Sequence, residues 1–133
     1  MICHGTLRST IDALFAHEVE SLTASADFQV LENGSAPPDQ YDEFIENVVR
    51  THLRSPQLLA FLYALAPPAA AADLQHNLLE ELGLEEESAR SHPDLLRDLL
   101  AGAGLGCRLP ILEAQADEDL RRIVVDPLLR HTA

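Results

Sequence analysis

The chain has 133 residues, of which 47% are apolar and 23% charged, as in a globular domain rather than a disordered or fibrous protein. Its 22 acidic and 9 basic residues give a net charge of -13, which excludes general binding to nucleic acids or anionic membranes, because these polyanions repel an acidic surface. Lysine is absent, so enzymes that depend on a P-loop or Schiff-base lysine are excluded as well.

Targeting and cysteine signals point to the cytoplasm. No apolar run approaches the roughly 18 residues of a membrane span. The start of the chain, residues 1–4, lacks the basic and apolar regions of a signal peptide. Cys3 and Cys107 are far apart and form no CxxC pattern, which predicts two free thiols. We therefore expect a cytoplasmic protein without membrane contact.

Leucine and alanine dominate the chain, and these residues favour helix. In chain order, the pattern predicts helices over about 6–25, 41–52, 58–65, 69–82, 92–101 and 110–122. No alternating strand pattern, internal repeat or long linker is present. The sequence predicts a single all-α domain over residues 1–133, an antiparallel helical bundle in which short connections join neighbours.

Proline, glycine and cap residues mark the predicted boundaries. Asn33–Pro38 reads as a turn, and Ser55-Pro56 as an N-cap followed by a proline in the first turn. Gly83 fits the left-handed position after a helix, and residues 84–91 form an acidic connection. We expect four leucines on the buried side of the next helix: Leu95, Leu96, Leu99 and Leu100. The last helix, with Leu112, Leu120 and Ile123, presents an apolar face that suggests a dimer surface.

A helical wheel at about 100° per residue separates two adjacent glutamates. Glu81 falls beside the apolar stripe of Leu78, whereas Glu80 points the opposite way. A carboxylate that leans toward a core must be paired, protonated or bound to a cation. The other reading is that Glu81 is simply solvated.

His92 is the candidate partner of Glu81. It precedes Leu95 and Leu96 by three and four residues, so it lies over the apolar side of its helix. The positive end of the helix dipole favours a neutral imidazole there, which is able to bind a metal. The alternative is a capping role at the helix start. His4, His17, His52 and His76 are interpreted as core or boundary histidines rather than ligands, and Glu85–Glu87 as a solvated loop.

Two strings, Asn77–Gly83 and Ser91–Leu95, carry a family resemblance. They resemble the helix-loop-helix of the haem-oxygenase-like di-iron oxidases, often labelled iron-containing redox enzymes. Upstream, Gly34, Tyr41, Phe44, Ser55-Pro56 and Leu58-Leu59 are similar to the second and third helices of that family. The resemblance covers about residues 10–107.

The resemblance implies a helical bundle with a non-haem iron site that activates dioxygen. Glu81 and His92 match two metal ligands of the family, and Asn77 matches a position without an assigned ligand role. In the family, a further glutamate and a His/Asp/His cluster come from later helices, so the bundle looks incomplete at its C-terminus. None of the tail residues matches that cluster: Glu113, Glu118, Asp119, Asp126 and His131.

The sequence pattern and the family resemblance leave three functions open. The first is a metal-dependent oxidoreductase that acts on a small organic substrate, with a homodimer bringing two Glu81 and two His92 together. The second is a metal-free helical interaction module without catalytic activity. The third is a cofactor-independent enzyme of the thiaminase-like branch, for which Cys107 is a poor nucleophile.

Overall fold

The computed structural model describes the backbone of residues 4–125 and the side chains of residues 8–125. Every regular element in that range is helical, which confirms the prediction of an all-α fold. The helices are α1 (His4–Ala24), α2 (Ala26–Glu32), α3 (Pro38–His52), α4 (Ser55–Leu65), α5 (Pro68–Leu82), α6 (His92–Gly102) and α7 (Leu109–Val125), with a short 3-10 turn (Gly106–Arg108) before α7.

Backbone contacts divide the chain into two compact units, and the boundary follows Tyr41. In the first unit, Ser25 separates α1 from α2, because its hydroxyl accepts a hydrogen bond from the backbone N–H of Phe28 at 3.2 Å. Helix α2 is absent from the sequence prediction. Its seven residues span about two turns, too few for an apolar period to stand out.

The end of the first unit is closed by polar contacts. The hydroxyl of Tyr41 donates to the carbonyl of Leu31 at 3.2 Å, and the Asn33 side chain accepts from the backbone of Ser35 at 3.0 Å. Ala36 lies buried in this turn. The predicted turn at residues 33–38 is therefore present, and it leads directly into α3.

The core of the second unit is a small apolar cluster from three helices. Val49 of α3, Leu100 of α6 and Leu112 of α7 are each at most 2% exposed. Ile45, Leu96, Leu105 and Leu109 pack against this cluster. Removing these side chains from water is the main stabilising contribution that the unit's packing makes.

The buried side of α6 is narrower than the sequence indicates. Leu100 is fully buried and Leu96 packs on the core, but Leu95 and Leu99 are each 46% exposed. Leu96 and Leu100 are four residues apart and share one face, whereas Leu95 and Leu99 lie about 100° away. The prediction that all four leucines are buried is wrong for these two.

Arginine–carboxylate pairs tie α7 to the earlier helices of the second unit. Arg50 makes two hydrogen bonds to the Asp119 carboxylate, at 2.8 and 3.1 Å. Arg54 donates to Asp117 at 2.6 Å. The planar guanidinium matches a carboxylate in a way that lysine does not, so an arginine-only chain suits these contacts.

These pairs make stability depend on pH. The arginine hydrogen bonds lower the pKa of Asp117 and Asp119 below the ordinary value of 3.8. A carboxylate with a depressed folded-state pKa stabilises the fold above its unfolded pKa and loses that contribution as the pH falls through the folded value. We expect Asp117→Asn/Asp119→Asn to melt at a lower temperature than the parent chain at pH 7. The difference between the two melting temperatures should disappear as the pH falls below 3.8.

Thermal unfolding followed by circular dichroism across that pH range checks this prediction. Asp12→Asn is the control, because Asp12 is 70% exposed and pairs with a residue of its own helix, Arg8, at 3.9 Å. If the difference in melting temperature persists unchanged at low pH, the ionised forms of Asp117 and Asp119 are not what stabilises the parent chain.

Within residues 4–125, no helix combines the length and the apolar run that a membrane crossing requires. This agrees with the absence of an apolar run of about 18 residues in the sequence. The cytoplasmic location stays a prediction, and so does the interpretation of residues 1–133 as one domain.

Candidate metal centre

Glu81 lies in the last turn of α5 and faces inward. Its side chain is 18% exposed, whereas that of the adjacent Glu80 is 51% exposed. This is the difference in direction that the helical wheel indicates. Asn77, one turn earlier on α5, is exposed. The inward carboxylate of Glu81 needs partners, because an unpaired charge in this position is unfavourable.

Two side chains from other helices satisfy that carboxylate. Glu81 Oε1 lies 2.7 Å from Nδ1 of His92 on α6. Glu81 Oε2 accepts a hydrogen bond from the hydroxyl of Ser55 on α4. The sequence assigns Ser55 to the N-cap of its helix. In the structure Arg54 holds that position without a side-chain cap, and the Ser55 hydroxyl is directed to Glu81 instead.

The connection between α5 and α6, residues 83–91, brings the chain from Glu81 to His92. Gly83 adopts a left-handed conformation, with φ of 68°, and the N–H of Leu84 donates to the carbonyl of Leu79 at 2.9 Å. Such a hydrogen bond ends the helix and reverses the chain. Ser91 then caps α6 by accepting from the N–H of Asp94 at 3.3 Å. His92 is therefore the first residue of α6, and Ser91 supplies the cap.

The pair lies at the rim of the unit rather than in a dry interior. The His92 side chain is 54% exposed, in contrast to that of Glu81. An open cleft of about 240 Å³ adjoins it, lined by His52, Ser55, His92, Leu95 and Leu96. Leu95 is exposed because it forms part of this wall. A second cleft of about 340 Å³ shares His52 and Ser55 with the first.

The donor chemistry of Glu81 and His92 fits a non-haem iron. Carboxylate oxygen and imidazole nitrogen are ligands that iron and manganese accept. Ligand atoms on adjacent octahedral positions, with bonds of about 2.1 Å, lie about 3 Å apart. The observed 2.7 Å between Oε1 and Nδ1 is close to that separation. The two donor atoms are therefore close enough to share one ion once both side chains turn toward it.

Two donors do not complete a coordination shell, which takes about four to six. Among the side chains of residues 8–125, no third His, Cys, Asp or Glu joins Glu81 and His92 in a compact group of ligand atoms. His52 is a further imidazole on the wall of the same cleft. The sequence predicts a core or boundary histidine at position 52, and the place of His52 on the same cleft as His92 follows only from the packing of α3.

The other acidic candidates of the sequence have different partners. Asp119 pairs with Arg50, Glu113 with Arg97 at 3.3 Å, and Glu118 with Arg122 at 3.3 Å. Asp126, His131 and Cys3 lie outside the described residues. Cys107 is exposed in the 3-10 turn before α7, which agrees with a free thiol.

Sequence reasoning missed one compact group of donors. His76, Glu80 and Glu85 bring one ligand atom each to within 4.8 Å of one another. The signal that could have found it is a histidine and a glutamate four residues apart on α5, which places both on one face. The part played by Glu85 depends on the turn after Gly83 and was not readable from spacing.

A larger groove in the second unit holds neither member of the pair. It measures about 530 Å³, runs along α7 and is lined by residues such as Arg50, Pro110 and Ile111. Both arginines of its lining are engaged, Arg50 by Asp119 and Arg122 by Glu118, so the groove offers no free cation to an anionic ligand. The smaller cleft beside His92 is the better candidate site, because chemically competent groups converge there.

Helical bundles build metal sites from carboxylates and imidazoles on facing helices, and this all-helical unit places an inward carboxylate beside an imidazole from the next helix. The chain belongs to the family described as iron-containing redox enzyme, whose sequence pattern matches residues 42–127, more than half of the chain. The match begins where the second compact unit begins and continues through α7, whereas the resemblance in the sequence spans about residues 10–107. No curated protein and no solved structure matches the chain.

Proposed function

We propose that the chain is a non-haem iron protein that activates dioxygen for the oxidation of a small organic substrate. Glu81 and His92 hold the metal, and the cleft beside His92 receives the substrate. Membership of the iron-containing redox enzyme family supports the use of a metal. The single observation that carries the assignment to residues is the 2.7 Å approach of Glu81 Oε1 to His92 Nδ1.

The surrounding residues support that role. Ser55 donates to the second carboxylate oxygen of Glu81 and fixes the rotation of the carboxylate. Hydrogen bonds of this kind orient the side chains that bind a metal and raise the affinity of the site for the metal. Gly83 and the Ser91 cap set the position of His92 independently of any ion. The donor pair is therefore held in place before a metal arrives.

The chain's own contribution to the reaction is binding and orientation. Iron at this site would supply the electron-transfer chemistry with dioxygen that the polypeptide lacks. Leu95 and Leu96 offer an apolar wall to the carbon skeleton of a substrate, and His52 offers a polar contact at the same cleft. A volume of about 240 Å³ restricts the substrate to a small molecule.

Iron binding by matched variants tests the proposal. The metal-free chain is titrated with Fe(II) under anaerobic conditions, and the bound metal is quantified after desalting. We expect the parent chain to retain iron and Glu81→Ala/His92→Ala to lose it, with at least about a hundredfold weaker binding, because loss of an outer-shell partner alone costs 10–100-fold. Oxygen uptake after loading, measured with an electrode, should follow the bound iron.

His17→Ala/Glu18→Ala is the matched control, since it also removes one imidazole and one carboxylate, both exposed on α1 and outside either group of donors. Iron retention and oxygen uptake should persist in that variant. Absence of iron from the parent chain, or equal binding in Glu81→Ala/His92→Ala, would reject the metal assignment and leave the metal-free interaction module as the function.

Self-association is a separate part of the proposal. Two donors per chain become four when two copies place their Glu81 and His92 around one centre, which approaches the number that iron requires. We expect the iron-loaded chain to run as a homodimer in size-exclusion chromatography with light scattering. A monomer that binds one iron per chain would contradict this arrangement while leaving the assignment of Glu81 and His92 intact.

A further inference from the structure

We propose that His76, Glu80 and Glu85 form a second metal site on the outer face of α5, which binds Zn²⁺ and ties the connection between α5 and α6 to the helix. This site is distinct from the Glu81–His92 pair. Glu80 and Glu81 are adjacent, but one points outward and the other inward.

The three donors already lie close together. His76 Nδ1 is 2.5 Å from Glu85 Oε1, and His76 Nε2 is 3.8 Å from Glu80 Oε1. One ligand atom from each residue lies within 4.8 Å of the others. In a tetrahedral zinc shell, with bonds of about 2.1 Å, ligand atoms are about 3.4 Å apart. These two distances involve different imidazole nitrogens, of which only one binds a given ion, so side-chain rotation must bring both carboxylates to the same nitrogen.

The backbone holds two of the three donors without help from a metal. His76 and Glu80 are four residues apart on α5, the spacing that lets two side chains chelate one ion on a helix. Glu85 returns to the same face because the Gly83 turn is fixed by the Leu84-to-Leu79 hydrogen bond at 2.9 Å. Part of the ordering that metal binding requires is thus present in the fold.

The charge at this position favours a cation. Within residues 8–125, neither Glu80 nor Glu85 pairs with an arginine, in contrast to Glu46, Glu113 and Glu118. Both carboxylates lie at the C-terminal end of α5, where the helix dipole is negative and no basic residue occupies the last turn. A single imidazole does not balance two carboxylates.

The donor set selects the kind of ion. One imidazole nitrogen with two carboxylate oxygens suits Zn²⁺ and its neighbours, whereas Mg²⁺ and Ca²⁺ prefer all-oxygen shells. The side chains are 63%, 51% and 30% exposed, so water completes the coordination and the ion enters freely. Because the acidic connection leads directly to His92, an ion here would also steady the segment that positions that histidine.

Zinc binding by the metal-free full chain tests the site, with isothermal titration calorimetry as the readout. Zn²⁺ serves as the probe because it needs no oxygen or reductant. We expect His76→Ala/Glu85→Gln to weaken binding at this site by at least about a hundredfold, since even outer-shell partners contribute 10–100-fold. Hydrogen exchange of residues 84–91 should slow when zinc is added to the parent chain and remain unchanged in the variant.

Two controls separate this site from the Glu81–His92 pair and from general surface binding. Glu81→Ala/His92→Ala should keep the zinc site, and His17→Ala, which removes another exposed histidine, should leave the titration unchanged. The proposal is overturned if His76→Ala/Glu85→Gln binds zinc as the parent chain does. It is also overturned if zinc leaves the exchange of residues 84–91 unaltered in the parent chain.

Discussion

Replacing Gly83 by alanine is expected to destabilise the second unit by about 2–5 kcal/mol, from the left-handed backbone and the overpacking together. Gly83 has a φ of 68°, a backbone angle that residues with a side chain rarely adopt. A Cβ there would lie 2.5 Å from the carbonyl carbon of Arg90 and 2.6 Å from the nitrogen of Ser91. Both are backbone atoms, so the connection to α6 must shift in Gly83→Ala. Urea unfolding measures the resulting decrease in the free energy of unfolding.

The same shift should disturb the metal pair. Ser91 caps α6 and His92 follows it, so moving Arg90 and Ser91 changes the distance between His92 and Glu81. We expect Gly83→Ala to bind iron more weakly than the parent chain under conditions in which both are folded. This result would link the turn to the site, since Gly83 contributes no ligand atom.

Gly104→Ala is the matched control for the turn. Gly104 has a φ of 77°, but a Cβ added at Gly104 would have no heavy atom within 4 Å beyond its chain neighbours. The Gly104→Ala substitution should lower the free energy of unfolding by about 1–2 kcal/mol, which is the cost of the left-handed conformation alone. Equal losses in the two variants would show that the close approach of Arg90 and Ser91 to Gly83 is unimportant.

Leu100→Ala is expected to destabilise the second unit by about 2–5 kcal/mol, the range observed when a buried leucine is truncated. Leu100 is fully buried and forms the central cluster with Val49 and Leu112. With so few fully buried side chains in the described part of the chain, a cavity at this position removes a large share of the core. Chemical denaturation monitored by circular dichroism gives the free energy of unfolding.

Leu99→Ala provides the comparison for that prediction. Leu99 precedes Leu100 on α6 and carries the same side chain, but it is 46% exposed. Its truncation should change the free energy of unfolding by less than about 1 kcal/mol, because little apolar area is returned to water. A Leu99→Ala loss as large as that of Leu100→Ala would contradict the observed orientation of α6.

The helices were largely predictable because their signals are local. Pro56, Gly83 and Pro93 mark ends or starts through fixed backbone preferences, and the structure places helix boundaries beside each of them. The inward direction of Glu81 followed from the helical period alone. Helix α2 was missed because a short helix shows little period, and its boundary rests on one hydroxyl of Ser25.

The candidate site was predictable only as a pair of residues. Spacing placed Glu81 and His92 on facing sides of neighbouring helices, but it did not reveal Ser55 as the third member of the hydrogen-bonded group. A serine before a proline carries the same signal whether it caps its helix or reaches another one. The contact with Glu81 depends on how α4 and α5 pack, which is not a local property.

By itself, the sequence determined the helical class, the acidic arginine-only surface and the direction of single side chains on their helices. These properties depend on composition, on the helical period and on residues such as Gly83, all of which act over a few positions. Only the tertiary structure decided which leucines of α6 are buried, that Ser55 contacts Glu81, and that Glu85 returns to His76. Each of those outcomes joins residues through the packing of helices or the path of a turn, so no single stretch of sequence encodes it.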